Sequence, residues 1–312
     1  MYYPFLRGRQ FELIALRELS QENEIQGYVS SIIEPVKKSL NSLTLANRIF
    51  FETNQSNFLI LNPEVGEKKG DTEFYLEFLN GLENCSFKPA FHFRRNSNYI
   101  REKIEKYQLR DCLIIGTNEI QSTDQNFREV IEIESVRKVV INDPDRNRDL
   151  KRYLQGQEIE FIRLDDLFEP ESRNSNFLPI VSHRFSEEHK YFLDDNYSGF
   201  SDYTILSSDF IEGGSTPRAV VIHFTYMNNE NQIWIRHFTS NSNDTIADVQ
   251  GKFGEAARKA VEYCRSHNLQ NSAIIELEDY FDQGHYPGLG MVKKISIKNH
   301  ITLVANYLRS IE

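Results

Sequence analysis

The sequence predicts an α/β protein of the TIM-barrel type, a (β/α)8-like ring with a β-hairpin inserted after the eighth strand and a helix at the C-terminus. Three observations predict it. The first 36 residues read as strand, helix, strand, the spacing of a right-handed βαβ unit with parallel strands. The unit then repeats along the chain. Its strands are short continuous apolar runs rather than alternating ones, the pattern of parallel strands buried on both faces.

In order, an apolar start around Tyr2–Leu6 runs into Arg7-Gly8-Arg9 and a helical pattern, and Val29–Ile33 ends on Glu34-Pro35. A helix over Leu40–Phe50 precedes Phe58–Leu61, which ends at Asn62-Pro63. The helix Thr72–Leu82 repeats Phe74, Phe78 and Leu82 at helical spacing. Pro89–Phe93 ends on Arg94-Arg95 and is followed by a helix over Tyr99–Tyr107. Cys112–Ile115 leads through Gly116–Glu119 to a helix near Asp124–Glu134. Lys138–Ile141 ends on Asn142-Asp143-Pro144-Asp145, and a short helix over Arg148–Leu154 precedes Ile159–Leu164, which ends at Asp165-Asp166.

Those are seven strands. Closing the ring needs an eighth, placed at Asp202–Asp209, with a helix near Glu187–Phe192 standing in for the seventh outer helix. Beyond it, Ala219–Tyr226 and Ile233–Phe238 flank the turn-rich Asn228-Asn229-Glu230-Asn231 and read as a hairpin. This places an insertion at 213–245, near the barrel mouth, within one domain spanning 1–312. A helix over Ile246–Ser266 is expected as the eighth outer helix, and a last helix runs from about Ile301 to Ile311.

Composition narrows the function classes. Thirty-six Lys and Arg against 46 Asp and Glu give a net charge of -10, which argues against nucleic-acid binding by overall charge but leaves room for a local basic pocket. No basic leader precedes an apolar segment, and no run nears the roughly 18 apolar residues of a membrane span, so a cytoplasmic protein is expected. Cys85, Cys112 and Cys264 are far apart and lack CxxC spacing, against a disulfide framework or a structural zinc site. Gly66–Asp71 lacks the spacing of a phosphate-binding loop, and neither Gly-x-Ser-x-Gly nor His-Glu-x-x-His occurs.

In a barrel the rim at the strand C-termini carries the chemistry. Strand ends place Arg7, Arg9, Glu34, Asn62, His92, Arg94, Asn142, Asp143 and Asp165 there, with Ser207 and Asp209. Arginines facing carboxylates suit an anionic ligand bearing phosphate or carboxylate, bound by Arg7, Arg9, Arg94, Asn62, Asn142 and Asp165. Glu34, Asp143 and His92 are the candidate catalytic groups. Glu34 and Asp143 are also the candidate ligands for a divalent cation such as Mg²⁺. A carboxylate directly after a buried strand is expected to be partly desolvated, its pKa raised as suits a general base, or else to pair with Arg7. His92 is either catalytic or a hydrogen-bonded core histidine. Asp145 is expected as a helix cap.

The motifs Tyr3-Pro4-Phe5-Leu6-Arg7, Glu12-Leu13-Ile14-Ala15-Leu16 and Ile32-Ile33-Glu34-Pro35 resemble the start of the phage-type beta-protein family and its bacterial relatives. The resemblance covers about a tenth of the chain. It implies a barrel-like α/β fold and a phage or phage-defence setting, and with them a second function class: a non-enzymatic recognition or scaffold subunit that meets a protein partner through the 219–238 hairpin. Arg7-Gly8-Arg9 departs from the family pattern, in which lysine and an aromatic are common at the first turn.

Overall fold

The computed structural model describes residues 1–213 and 216–311. Eight parallel strands form the barrel-like sheet: β1 (Phe5–Leu6), β2 (Ile32–Ile33), β3 (Asn57–Ile60), β4 (Phe87–His92), β5 (Cys112–Gly116), β6 (Val136–Asn142), β7 (Glu160–Asp165) and β9 (Gly199–Asp202), paired in that order. The ends of the sheet meet where Tyr2 bridges Phe200 and the Tyr3 N–H donates to the Phe200 carbonyl at 2.8 Å. Between β1 and β7 run α1 (Gln10–Gln21), α2 (Asn41–Glu52), α3 (Thr72–Asn80), α4 (Ser97–Tyr107), α5 (Gln125–Ile131) and α6 (Arg148–Gln155). Asp71, Asp124 and Asn147 cap α3, α5 and α6 by accepting from the backbone three residues on, each such cap contributing about 1 kcal/mol.

Strand residues alternate between two cores, as a period of two requires. Tyr3, Phe5, Ile32, Phe58, Ile60, Leu113, Ile115, Val140, Ile162 and Leu164 fill the barrel interior. Their neighbours Leu6, Ile33, Leu59, Phe91, Ile114, Val139, Ile141 and Phe161 pack outward under the helices. Each such side chain, fully buried, contributes roughly 1.5–3 kcal/mol of transfer free energy.

The eighth barrel strand lies at Gly199–Asp202, ahead of the predicted Asp202–Asp209, which shares only its first residue. Ring closure selects it: Gly199 sits against Tyr3 and Met1, where a Cβ would come within 2.6 Å of the Tyr3 ring. Asp202 instead faces the outer layer, accepting from Tyr2 Oη at 2.5 Å and approaching His300 Nε2 at 3.3 Å.

After β7 a sheet enters the outer layer. β8 (Ser182–Ser186) joins the hairpin β10 (Val221–Met227) and β11 (Ile233–Thr239) in an antiparallel sheet of order β10-β11-β8, and α7 (Glu188–Tyr191) is a single turn. One face of this sheet, with Phe185, Ile233 and Ile235, packs against the barrel wall. The other, with Ile222, Phe224 and Phe238, packs against α8 (Val249–Ser266) and α9 (Ser272–Asp282). The predicted eighth outer helix, α8, therefore covers the hairpin instead of the barrel. Its place beside α1 is taken by α10 (Leu289–Ser310), twelve residues longer at its start than the sequence suggests, through Ile297, Ile301, Val304 and Leu308. Of the predicted insertion 213–245, Gly214 and Ser215 lie outside the described residues, as does Glu312 of the predicted domain.

Candidate functional site at the barrel rim

Side chains that end the inward rows of β1, β2 and β4 come together at the C-terminal rim. Glu34, one residue past β2, is fully buried. Its Oε1 accepts the Glu64 N–H at 2.7 Å and lies 3.1 Å from His92 Nε2, while Oε2 pairs with Arg7 Nη1. Arg7 is further fixed by a bond from Nη2 to the Ser208 carbonyl and stands over the rings of Phe5 and Tyr203, 5.2 and 5.6 Å from their centroids. The predicted Arg7–Glu34 pair is thus present. The predicted pKa is reversed: burial alone would raise the Glu34 carboxyl, but the His92 hydrogen bond, the Arg7 charge and the Glu64 amide together hold it below the ordinary glutamate value. An ionised, triply held carboxylate is a poor general base.

The pairing defines His92. An ionised carboxylate only accepts, so Nε2 carries the hydrogen that faces Glu34. His92 Nδ1 is buried and has no hydrogen-bond partner among the described residues. Arg7 Nε is likewise buried without one.

Above these groups opens a cavity of about 720 Å³ whose walls include Arg7, His92, Arg94, Asn142, Asp143 and Asp165. Arg94 pairs with Glu64, Nε to Oε1 at 2.6 Å, and Asp143 with Arg146 at 2.6 Å. Asn142 Oδ1 accepts the Asn118 N–H at 3.1 Å. Asp143 has φ of 41°, a left-handed conformation that aspartate tolerates, and its carbonyl accepts Asn118 Nδ2 at 3.1 Å. Asp165 follows the outward row of β7: Arg163 holds both its oxygens, at 2.8 and 3.0 Å, yet burial raises its pKa, helped by Asp202 and Asp143.

Two predicted ligand-binding residues stand elsewhere. Arg9 turns away from the mouth, donating to the Ile211 carbonyl at 2.6 Å and stacking 4.8 Å over Phe210, because it caps α1 rather than extending β1. Asn62 is spent on the backbone, exchanging two 2.8 Å hydrogen bonds with the N–H and C=O of His92, and so sets the height of that ring. Asp145 does not cap α6, since Asn147 does; it pairs with Lys151 at 2.6 Å and Arg163 at 3.5 Å.

The cation expectation meets a geometric obstacle. Glu34 has both oxygens engaged and Asp143 is on the far side of the ring, beyond β5, and no group of three or more His, Cys, Asp or Glu is placed to hold a metal among the described residues. Residues missed in the sequence are Glu64, Asn118, Arg146, Tyr203 and Ser208. Glu64, just past the strand-ending Asn62-Pro63, and Asn118, in the Gly116–Glu119 end of the fifth strand, carried a local signal.

No protein-family model matches the chain, and no curated protein matches it. Among the described residues no helix is long and apolar enough to cross a membrane.

Proposed function

We propose that the chain is a barrel enzyme acting on a small anionic ligand, bearing phosphate or carboxylate, at the C-terminal rim. His92 is the proton-transfer group, Glu34 the residue that positions it, and Arg7, Arg94 and Arg146 the anion-binding groups. The observation that carries this reading is the buried, unpartnered Nδ1 of a histidine whose other nitrogen is fixed on a buried carboxylate. Buried polar atoms are nearly always hydrogen-bonded, and a catalytic role is one of the explanations for an exception. The Arg94–Glu64 and Arg146–Asp143 pairs are solvent-exposed and worth about 0–1 kcal/mol each, so an incoming anion displaces them at little cost. Any Mg²⁺ would enter with the ligand's own oxygens.

The experiment is a thermal-shift screen of sugar phosphates, nucleotides and dicarboxylates, with and without Mg²⁺, repeated on Arg94→Ala and Arg7→Ala. A ligand that raises the melting temperature of the parent and less that of the variants supports the reading. No shift with any ligand, or equal shifts in all three proteins, removes its support.

A second reading has one observation in its favour: the rim arginines Arg7, Arg94 and Arg146 are all in ion pairs, as in a silent barrel serving as a recognition subunit in phage conflict. Against the 219–238 hairpin as its docking surface, Tyr226 and Trp234 are only half-exposed, Tyr226 packing on Tyr263 and Trp234 bonding Gln232. A partner protein that copurifies with the parent and is lost with Trp234→Ala, in the absence of any small-molecule shift, would favour this reading over the first.

A further inference from the structure

A second cavity lies outside the rim site. It occupies about 910 Å³ between the loops that follow β7 and β9, the start of β10 and the first turns of α10. Phe168, Ile205, Val221 and Val292 form one apolar part of a lining that is otherwise largely polar, and three cationic side chains, Arg173, Arg218 and Lys293, share it with one carboxylate, Glu171. None of the three cations is in an ion pair among the described residues, whereas the rim arginines all are. Arg218 reaches only a backbone carbonyl, that of Asp244 at 3.2 Å. In a chain of net charge -10, a concave site of mixed polarity edged by three cations outside any ion pair runs against the overall charge.

We propose that this cavity is a second ligand site, for an organic carboxylate or sulfonate whose apolar body fills the space between Phe168 and Val292 and whose acidic head meets Lys293. Ligand pockets of this volume combine an apolar lining with a few polar groups that fix orientation. Lys293 is the group at the wall that an anion would satisfy. Burial holds its ammonium below the ordinary lysine value, against the pull of Glu12 and with Arg9 adding to the lowering. An acidic head beside it restores the charge and gains a charge-assisted hydrogen bond.

The test is a fluorescence titration with 8-anilinonaphthalene-1-sulfonate, run beside N-phenyl-1-naphthylamine, which has the same ring system without the sulfonate. Saturable sulfonate binding is expected, weakened roughly tenfold or more by Lys293→Met and rescued by Lys293→Arg, while the neutral amine changes by less than about twofold. Leu206→Trp, which fills the cavity from a half-exposed position, should abolish binding of both dyes. Arg94→Ala at the rim should leave both unchanged. Circular dichroism on each variant shows whether it is folded, and Lys293→Arg with Leu206→Trp carries the test if Lys293→Met is not. Undiminished sulfonate binding in Lys293→Met or Leu206→Trp, loss of binding in Arg94→Ala, or no saturable binding to the parent would each overturn the proposal.

Discussion

Glu34 and His92 are joined across the ring: Glu34 Oε1 lies 3.1 Å from His92 Nε2 although 58 residues separate them, and the same oxygen takes the Glu64 N–H at 2.7 Å. One carboxylate therefore holds β1 through Arg7, the loop after β3 through Glu64 and β4 through His92. Replacing it isosterically by Glu34→Gln keeps the volume but leaves the Arg7 guanidinium without its counter-charge. Breaking one side of a buried pair costs on the order of 3 kcal/mol, so urea unfolding should show a loss of that size. A loss under about 1 kcal/mol would mean that the pair is solvated in solution.

Gly66 lies two residues past Glu64, in the loop that reaches this carboxylate, and packs on Val36. Its φ is +89°, and a Cβ there would lie 2.4 Å from Val36 Cα, a backbone atom that cannot swing aside. Gly66→Ala should destabilise by roughly 1–3 kcal/mol. Because it pushes the Glu64 loop away from Glu34, it should also raise the Glu34 pKa, which carbon NMR of the carboxyl would read directly.

Acid stability should fall in two stages. His223 and His237 share a 2.7 Å Nδ1–Nδ1 hydrogen bond, in which one nitrogen must stay bare, and burial lowers them to about 3 and about 4; buried His189 is lowered to about 4. Their folded values lie below the ordinary 6.5, so the unfolded chain binds these protons more readily and stability is lost as the pH falls from about 6.5 toward 4. Each contributes a slope of about 1.4 kcal/mol per pH unit. His237→Asn should flatten that slope by about one proton. Below it, Glu34 and Asp202, both held under their ordinary values although burial alone would raise them, lose their contribution as they protonate. Stability measured by denaturant at intervals from pH 7 to 3 checks both stages, and a flat profile between 6.5 and 4 would contradict the first.

Lys294 fastens α10 to the barrel. It is 1% exposed and binds Glu276 at 2.5 and 2.7 Å and Glu18 of α1 at 2.8 Å. Lys294→Ala strands two carboxylates and a cavity and should cost on the order of 3 kcal/mol. Lys294→Met, which keeps the stem, should cost less. Equal costs would show that charge and not packing holds the helix.

How much of this was legible follows from which forces are local. The first seven barrel strands were readable because a strand buried on both faces has to be a continuous apolar run, as in Phe58–Leu61 or Cys112–Ile115. Gly199-Phe200-Ser201-Asp202 has one large apolar residue and is a strand only because β7 and the Tyr2-Tyr3 backbone flank it. The first half of α10 was hidden by Lys293, Lys294, Lys298, Asn299 and His300, whose burial depends on partners such as Glu18, Glu22, Thr225 and Asp202 far away in sequence. Strand ends located the rim but not its wiring. Glu34 alone reads as a desolvated acid, and the groups that reverse its pKa arrive from β1, β4 and the loop after β3.

The account turns on His92 keeping a bare, buried Nδ1 beside the cavity because Glu34 holds Nε2. Nitrogen NMR of the protein labelled at histidine tests this most directly, with His92 assigned by His92→Gln and the spectrum repeated on Glu34→Gln and with the best anion from the thermal screen. The account predicts an Nε2–H tautomer in the parent, a mixture of tautomers in Glu34→Gln and a shift of the Nδ1 resonance on adding the anion. An Nδ1–H tautomer in the parent, or a His92 spectrum indifferent to both changes, would contradict it.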